Sequence, residues 1–174
     1  MPLGGRELVI DKAFDRIARA IEVTLALAFI LAILLNFGNV VGRYLFGVSL
    51  LGSDEVQIFI MVGMTFLGAA VVTRRNLHLR MDVLVRFLPA HVRVALRIVE
   101  QVLLATIAGF VLTQSYFYAR QMLRIGRTSD MAGVPMWIPH ATVALGFGLI
   151  FVFAIWGLVR LARPLPARSG EPTP

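Results

Sequence analysis

Four stretches of this 174-residue chain contain no Asp, Glu, Lys or Arg, and little lies between them. They are residues 23–42, 56–73, 101–119 and 131–159, which are 20, 18, 19 and 29 residues long. An α-helix rises about 1.5 Å per residue, so roughly 20 apolar residues cross a hydrocarbon core ~30 Å thick. Lipid offers no hydrogen bonds to the backbone, and in a chain this short the helix is the spanning form that satisfies each segment internally. The expected fold is an all-α integral membrane protein with four transmembrane helices, at about 20–44, 53–73, 93–121 and 135–160.

Composition narrows the function classes. Hydrophobic residues make up 58% of the chain, which leaves room for a single membrane domain, 1–174. The polar ends, residues 1–19 and 161–174, are too short to bury a core. No G-x-x-x-x-G-K-[ST] phosphate loop is present, so the sequence offers no means of its own for binding ATP. Cysteine is absent, which removes disulfides, thiolate metal sites and cysteine nucleophiles. The net charge of +7 does not indicate nucleic acid, because the arginines cluster at the ends of apolar spans. The first span has a long apolar region and no A-x-A-like cleavage site, and is read as retained.

Lys and Arg in short loops favour the cytoplasm. The N-terminal tail, the segment between spans two and three, and the C-terminal tail hold 13 of the 17 basic residues. Arg43, Arg120, Arg124 and Arg127 form the other set. This asymmetry predicts a multi-pass protein of a bacterial inner membrane with both termini cytoplasmic. Trp137 and Trp156 stand 19 residues apart, about 28 Å along a helix, and fit as anchors at opposite interfaces. Pro135 suits a first helical turn.

Between spans two and three, residues 77–88 predict a short amphipathic interfacial helix. Leu77, Met81, Leu84, Val85 and Leu88 share one face, while Asp82 and Arg86 form an i,i+4 pair elsewhere. The same residues alternate as a strand would, but a lone strand at a membrane surface would leave its backbone unpaired. Such a helix serves either as a passive lipid anchor or as a brace against a partner.

Polar residues near the spans supply the candidate contacts. Gly38 and Gly42 make a G-x-x-x-G step that lets another helix approach, and Asn36, Asn39 and Arg43 lie on the same helix. Ser53, Asp54 and Glu55 make good helix-start chemistry, and Arg43 could pair with either acid across the short loop. Arg120 and Arg124 stack on one face, as if helix three continued past the membrane. With Arg127 they form either a solvated helix end or a docking patch for an acidic periplasmic partner. His140 is the one histidine within a span, so paired axial haem ligands are missing and no cofactor is expected. Glu22, Asp54, Glu55 and Glu100 all fall at span ends. Transporters place ionisable groups or broken helices at the midplane, and neither is visible here. No catalytic or metal-ligating residues are identified.

Several segments together resemble the small membrane subunit of tripartite ATP-independent periplasmic (TRAP) transporters. They are Asn39-Val-Val-Gly-Arg43-Tyr44-Leu-Phe46-Gly47 and Ser53-Asp54-Glu55, then Arg74-Arg75 with His78-Leu-Arg80-Met-Asp82 and Pro89, and Gly133-Val-Pro135-Met136-Trp137. The similarity runs from about Ile17 to Arg163, with family-like order and spacing. Gly52 departs from the family, which usually has Trp before the acidic pair. The resemblance implies a non-catalytic subunit that joins a large multi-span permease. A periplasmic binding protein would deliver a small organic acid, taken up with a cation, usually sodium. Two other readings of the residues remain. A stand-alone proton-coupled four-helix exporter would need an embedded carboxylate, for which Glu22 is the nearest candidate. A membrane anchor of a redox complex would usually show paired histidines.

Overall fold

The computed structural model describes residues 5–75 and 89–162. Four helices carry the chain: α1 (Gly5–Leu45), α2 (Ser53–Arg74), α3 (Ala90–Ile125) and α4 (Trp137–Ala162). Each is long and apolar enough to cross a membrane. The protein is thus an all-α membrane protein of four long helices, as the charge-free stretches predict. The expected interfacial helix at 77–88, with Leu77, Met81, Asp82, Leu84, Val85, Arg86 and Leu88, lies outside the described residues.

Helix ends follow local chemistry. The 41 residues of α1 reach about 60 Å, twice the thickness of a hydrocarbon core. Pro89 stands extended at the start of α3 (ψ 150°). Gly126 closes α3 in the left-handed region (φ 66°), and its N–H is donated to the Met122 carbonyl. Helix three therefore does continue past Arg120 and Arg124. Pro135 is not in the first turn of α4, as its position had implied. It pairs with Thr128 in an antiparallel bridge, and the helix begins at Trp137.

The helices stand in a row that is open over most of its length, with α1 reaching α4 where Phe14 meets Phe153 and Trp156. α2 packs on α1 and on α4, and α4 packs on α3, giving the order α1–α2–α4–α3. Small residues make these approaches close, as expected where lipid gives helices no hydrophobic reason to associate. Ala70, Ala154 and Ala108 are fully or almost fully buried. A Cβ on Gly146 of α4 would sit 2.8 Å from the Phe66 backbone of α2. The core runs through Ala70, Ala108, Ile150 and Phe153. At the row's edge, the most apolar stretch of α1 contains no buried residue at all.

Candidate functional site

The row is pinned at its two ends, here called the loop end (the α1–α2 and α3–α4 connections) and the terminal end. At the loop end Asn39, only 6% exposed, is the centre. Its amide N–H donates to Ser53 Oγ at 2.8 Å, and its Oδ1 accepts the Leu50 N–H at 3.0 Å. Ser53 is thus the first residue of α2 and a partner for α1, while the capping position falls to Gly52. Gly42 serves the turn as well. Its carbonyl accepts from Phe46 and Val48, and a Cβ there would meet the Val48 oxygen at 2.8 Å. The G-x-x-x-G step is therefore split. Gly42 is covered by the chain's own turn, and Gly38 faces open space.

Glu55 reaches across to the α3–α4 connection. Its carboxylate accepts the backbone N–H groups of Ala132 at 2.8 Å and Met131 at 3.2 Å. That connection is a small hairpin, held by Ser129 N–H to the Val134 carbonyl (2.8 Å) and Met136 N–H to the Arg127 carbonyl (2.9 Å). Gly52 explains how closely the two connections approach. It is left-handed (φ 84°), and a Cβ on it would lie 2.6 Å from the Ala132 Cα. A Trp could not stand there without moving the hairpin. The ion pair expected from Arg43 to Asp54 or Glu55 does not form. Glu55 is engaged by the hairpin, Asp54 is exposed, and Arg43 is exposed with no ion pair among the described residues.

At the terminal end a charged cluster joins three helices. Arg74 at the end of α2 donates to Asp11 Oδ1 of α1 at 2.9 Å and pairs with Asp15 at 3.0 Å. Trp156 of α4 donates its indole N–H to the same Asp11 oxygen at 3.2 Å, and Arg160 approaches it at 3.8 Å. Phe14 packs edge-on against Phe153 and Trp156, beneath the Arg74 guanidinium at 5.7 Å. Arg75 pairs with Glu22 at 2.6 Å. Sequence reasoning placed Trp156 in the lipid interface and did not single out Asp11. Asp11 is one of three acids in the N-terminal tail and stands 63 residues from Arg74, so the sequence carried no signal for the pairing.

The remaining expected residues are spread along the row. Trp137 is exposed at the start of α4, and Arg120, Arg124 and Arg127 are exposed around the end of α3. His140 stacks on Tyr118 of α3, with ring centroids 5.9 Å apart. Among the described residues no group of His, Cys, Asp and Glu could hold a metal.

One family match covers the loop end and most of the row, while Asp11, Phe14, Asp15 and Glu22 of the terminal cluster lie before it. The profile described as "Tripartite ATP-independent periplasmic transporters, DctQ component" matches residues 32–164. The chain belongs to this family. Its relatives are similarly named. One is the ectoine TRAP transporter small permease protein TeaB of Halomonas elongata, 30% identical over 140 residues, covering 79% of this chain and 72% of the relative. Another is the C4-dicarboxylate TRAP transporter small permease protein DctQ of Vibrio cholerae, 25% identical over 165 residues, covering 79% and 71%. A third is the isethionate TRAP transporter permease protein DctMQ of Oleidesulfovibrio alaskensis. It is 26% identical over 111 residues, which are 64% of this chain but 18% of that protein. The chain is thus a small permease subunit of the TRAP type, a multi-pass membrane protein whose relatives are transporter subunits and not enzymes.

Proposed function

We propose that this small permease is a fixed lateral support for a large multi-span permease during cation-driven uptake of a small organic acid. A periplasmic binding protein would deliver the solute. The observation that carries the reading is the open row pinned at both ends. The pairs of Asp11, Asp15 and Glu22 with Arg74 and Arg75 lie at the terminal end, and the buried Asn39–Ser53 bond lies at the loop end. Glu22, Asp54, Glu55 and Glu100 keep to the ends of the charge-free stretches. A carrier needs ionisable or unwound backbone near the midplane, and the four continuous helices provide neither.

The partner's side of the argument rests on α1. An edge helix with an unburied apolar face and an open Gly38 fits packing against another transmembrane helix. The isethionate relative supports a large partner, since this chain matches under a fifth of that one permease protein. The substrate class follows the relatives, whose names specify ectoine, C4-dicarboxylate and isethionate, all small polar solutes. The 13-to-4 division of basic residues supports a cytoplasmic terminal end and a periplasmic hairpin. There Arg124 and Arg127 offer positive charge to a docking protein.

Reconstitution tests the proposal. Liposomes holding this chain alone should show no solute flux, and flux should need the large permease, the binding protein and a cation gradient. Coupled flux through the chain alone would replace the support with the exporter reading.

A further inference from the structure

A groove of about 790 Å³ runs between α3 and α4 at the loop end. Its body is apolar, lined by Leu112, Leu123, Ala144, Gly148, Phe151 and Val152. Among its lining residues three have a polar group on the side chain: Arg120, Tyr116 and Trp137. Arg120 and Tyr116 stand one helical turn apart, and Trp137 opens the facing helix. None of the three makes a hydrogen bond or ion pair among the described residues, unlike Trp156, whose N–H goes to Asp11.

We propose that this groove binds one acyl chain of a glycerophospholipid from the adjacent leaflet, with the lipid phosphate held by Arg120, Tyr116 and Trp137. All three tips can donate and one is cationic, which matches a phosphodiester with its negative charge and acceptor oxygens. The length of the groove selects an acyl chain over a partner helix. From Arg120 to the level of Gly109, which Phe151 crosses, the α3 wall runs about 16 Å, one leaflet of a ~30 Å core. Phe151 closes the floor, its ring 3.2 Å from where a Cβ on Gly109 would lie. A transmembrane helix would need a trough about twice as long. Trp137 at the mouth suits the headgroup level. The assignment gives Arg120 a role separate from that of Arg124 and Arg127, which do not line this groove.

The test uses membrane vesicles containing the full chain and a phospholipid with a photoactivatable mid-acyl group, with labelled peptides read by mass spectrometry. Labelling should concentrate on 112–123 and 137–152, above the level on the equally exposed face of α1. R120Q should lower groove labelling by about tenfold through loss of one charge-assisted contact, and R120K should restore part of it. A144F, which fills the groove, should abolish it. If A144F does not insert, the Arg120 pair decides. Unchanged labelling in R120Q, labelling spread evenly over α1 and the groove, or a photoreactive residue at Leu145 that captures a protein chain in place of lipid would each overturn the proposal.

Discussion

Asn39 holds Ser53 across the first turn at 2.8 Å, with both residues buried, and this one bond sets where α2 begins relative to α1. The same side chain takes the Leu50 N–H, so a single amide satisfies two groups on the turn. Replacing it with Ala leaves both without a partner where water is scarce. Asn39→Ala should lower the stability of the chain by about 1–3 kcal/mol, and Ser53→Ala by about 1 kcal/mol because the Leu50 bond survives. Thermal unfolding in detergent measures both. Equal and negligible shifts would mean the turn is held by its backbone bonds alone.

The terminal cluster makes an asymmetric prediction about two neighbouring acids. Asp11 meets Arg74, Trp156 and Arg160 and its side chain is 26% exposed, whereas Asp15 meets Arg74 alone and is 69% exposed. Asp11→Asn removes the charge that Arg74, Trp156 and Arg160 share and leaves the largely buried Arg74 with the solvated Asp15 as its one carboxylate. Removing Asp15 takes away one solvated pair. Asp11→Asn should cost about 2 kcal/mol and Asp15→Asn well under about 1 kcal/mol. The chain has no cysteine, so paired cysteines on α1 and α4 can report the same event. Cross-linking near Phe14 and Phe153 should fall in the Asp11 variant and hold in the Asp15 variant.

These two clusters show what the sequence could and could not convey. The number and length of the helices were legible, because charge-free runs of membrane length have few other uses. The contact partners were not. Asn39 read as part of a helix that packs on protein, and it does bond Ser53 of α2, but its second partner, the Leu50 N–H of the turn, had no signal in the sequence. Glu55 read as a helix-start acid or a partner for Arg43, yet it binds backbone 76 and 77 residues away. Periodicity marks which face is apolar but not which neighbour covers it. In a membrane this loss is greater, because lipid-facing and protein-facing residues have similar composition. The open row was invisible for the same reason, since a closed bundle would show the same four spans.

Glu55 carries a prediction about the hairpin. Its carboxylate accepts two backbone N–H groups of the hairpin. Glu55→Ala should leave α2 helical and speed hydrogen exchange at Met131 and Ala132 several-fold. Proteolytic nicking should rise at the same place. Gly52→Trp should act on the same contact from the other side, by displacing Ala132. Exchange unchanged in both variants would show that the Thr128–Pro135 bridge suffices to hold the hairpin.

Arg43 separates folding from assembly. It sits one turn beyond Asn39 on α1, exposed, and no side chain among the described residues pairs with it. An interaction absent from the isolated chain cannot be lost from it, so Arg43→Ala should leave the unfolding temperature of the small permease unchanged. If the edge helix meets the large permease, as proposed, the same variant should reduce copurification of the two and lower uptake. Asn39→Ala should show the opposite order, with stability falling first and assembly following it. Running both variants through the unfolding and copurification assays distinguishes a contact surface from a structural one. An Arg43 variant with normal yield of the complex and normal transport would move the docking surface away from the loop end of α1.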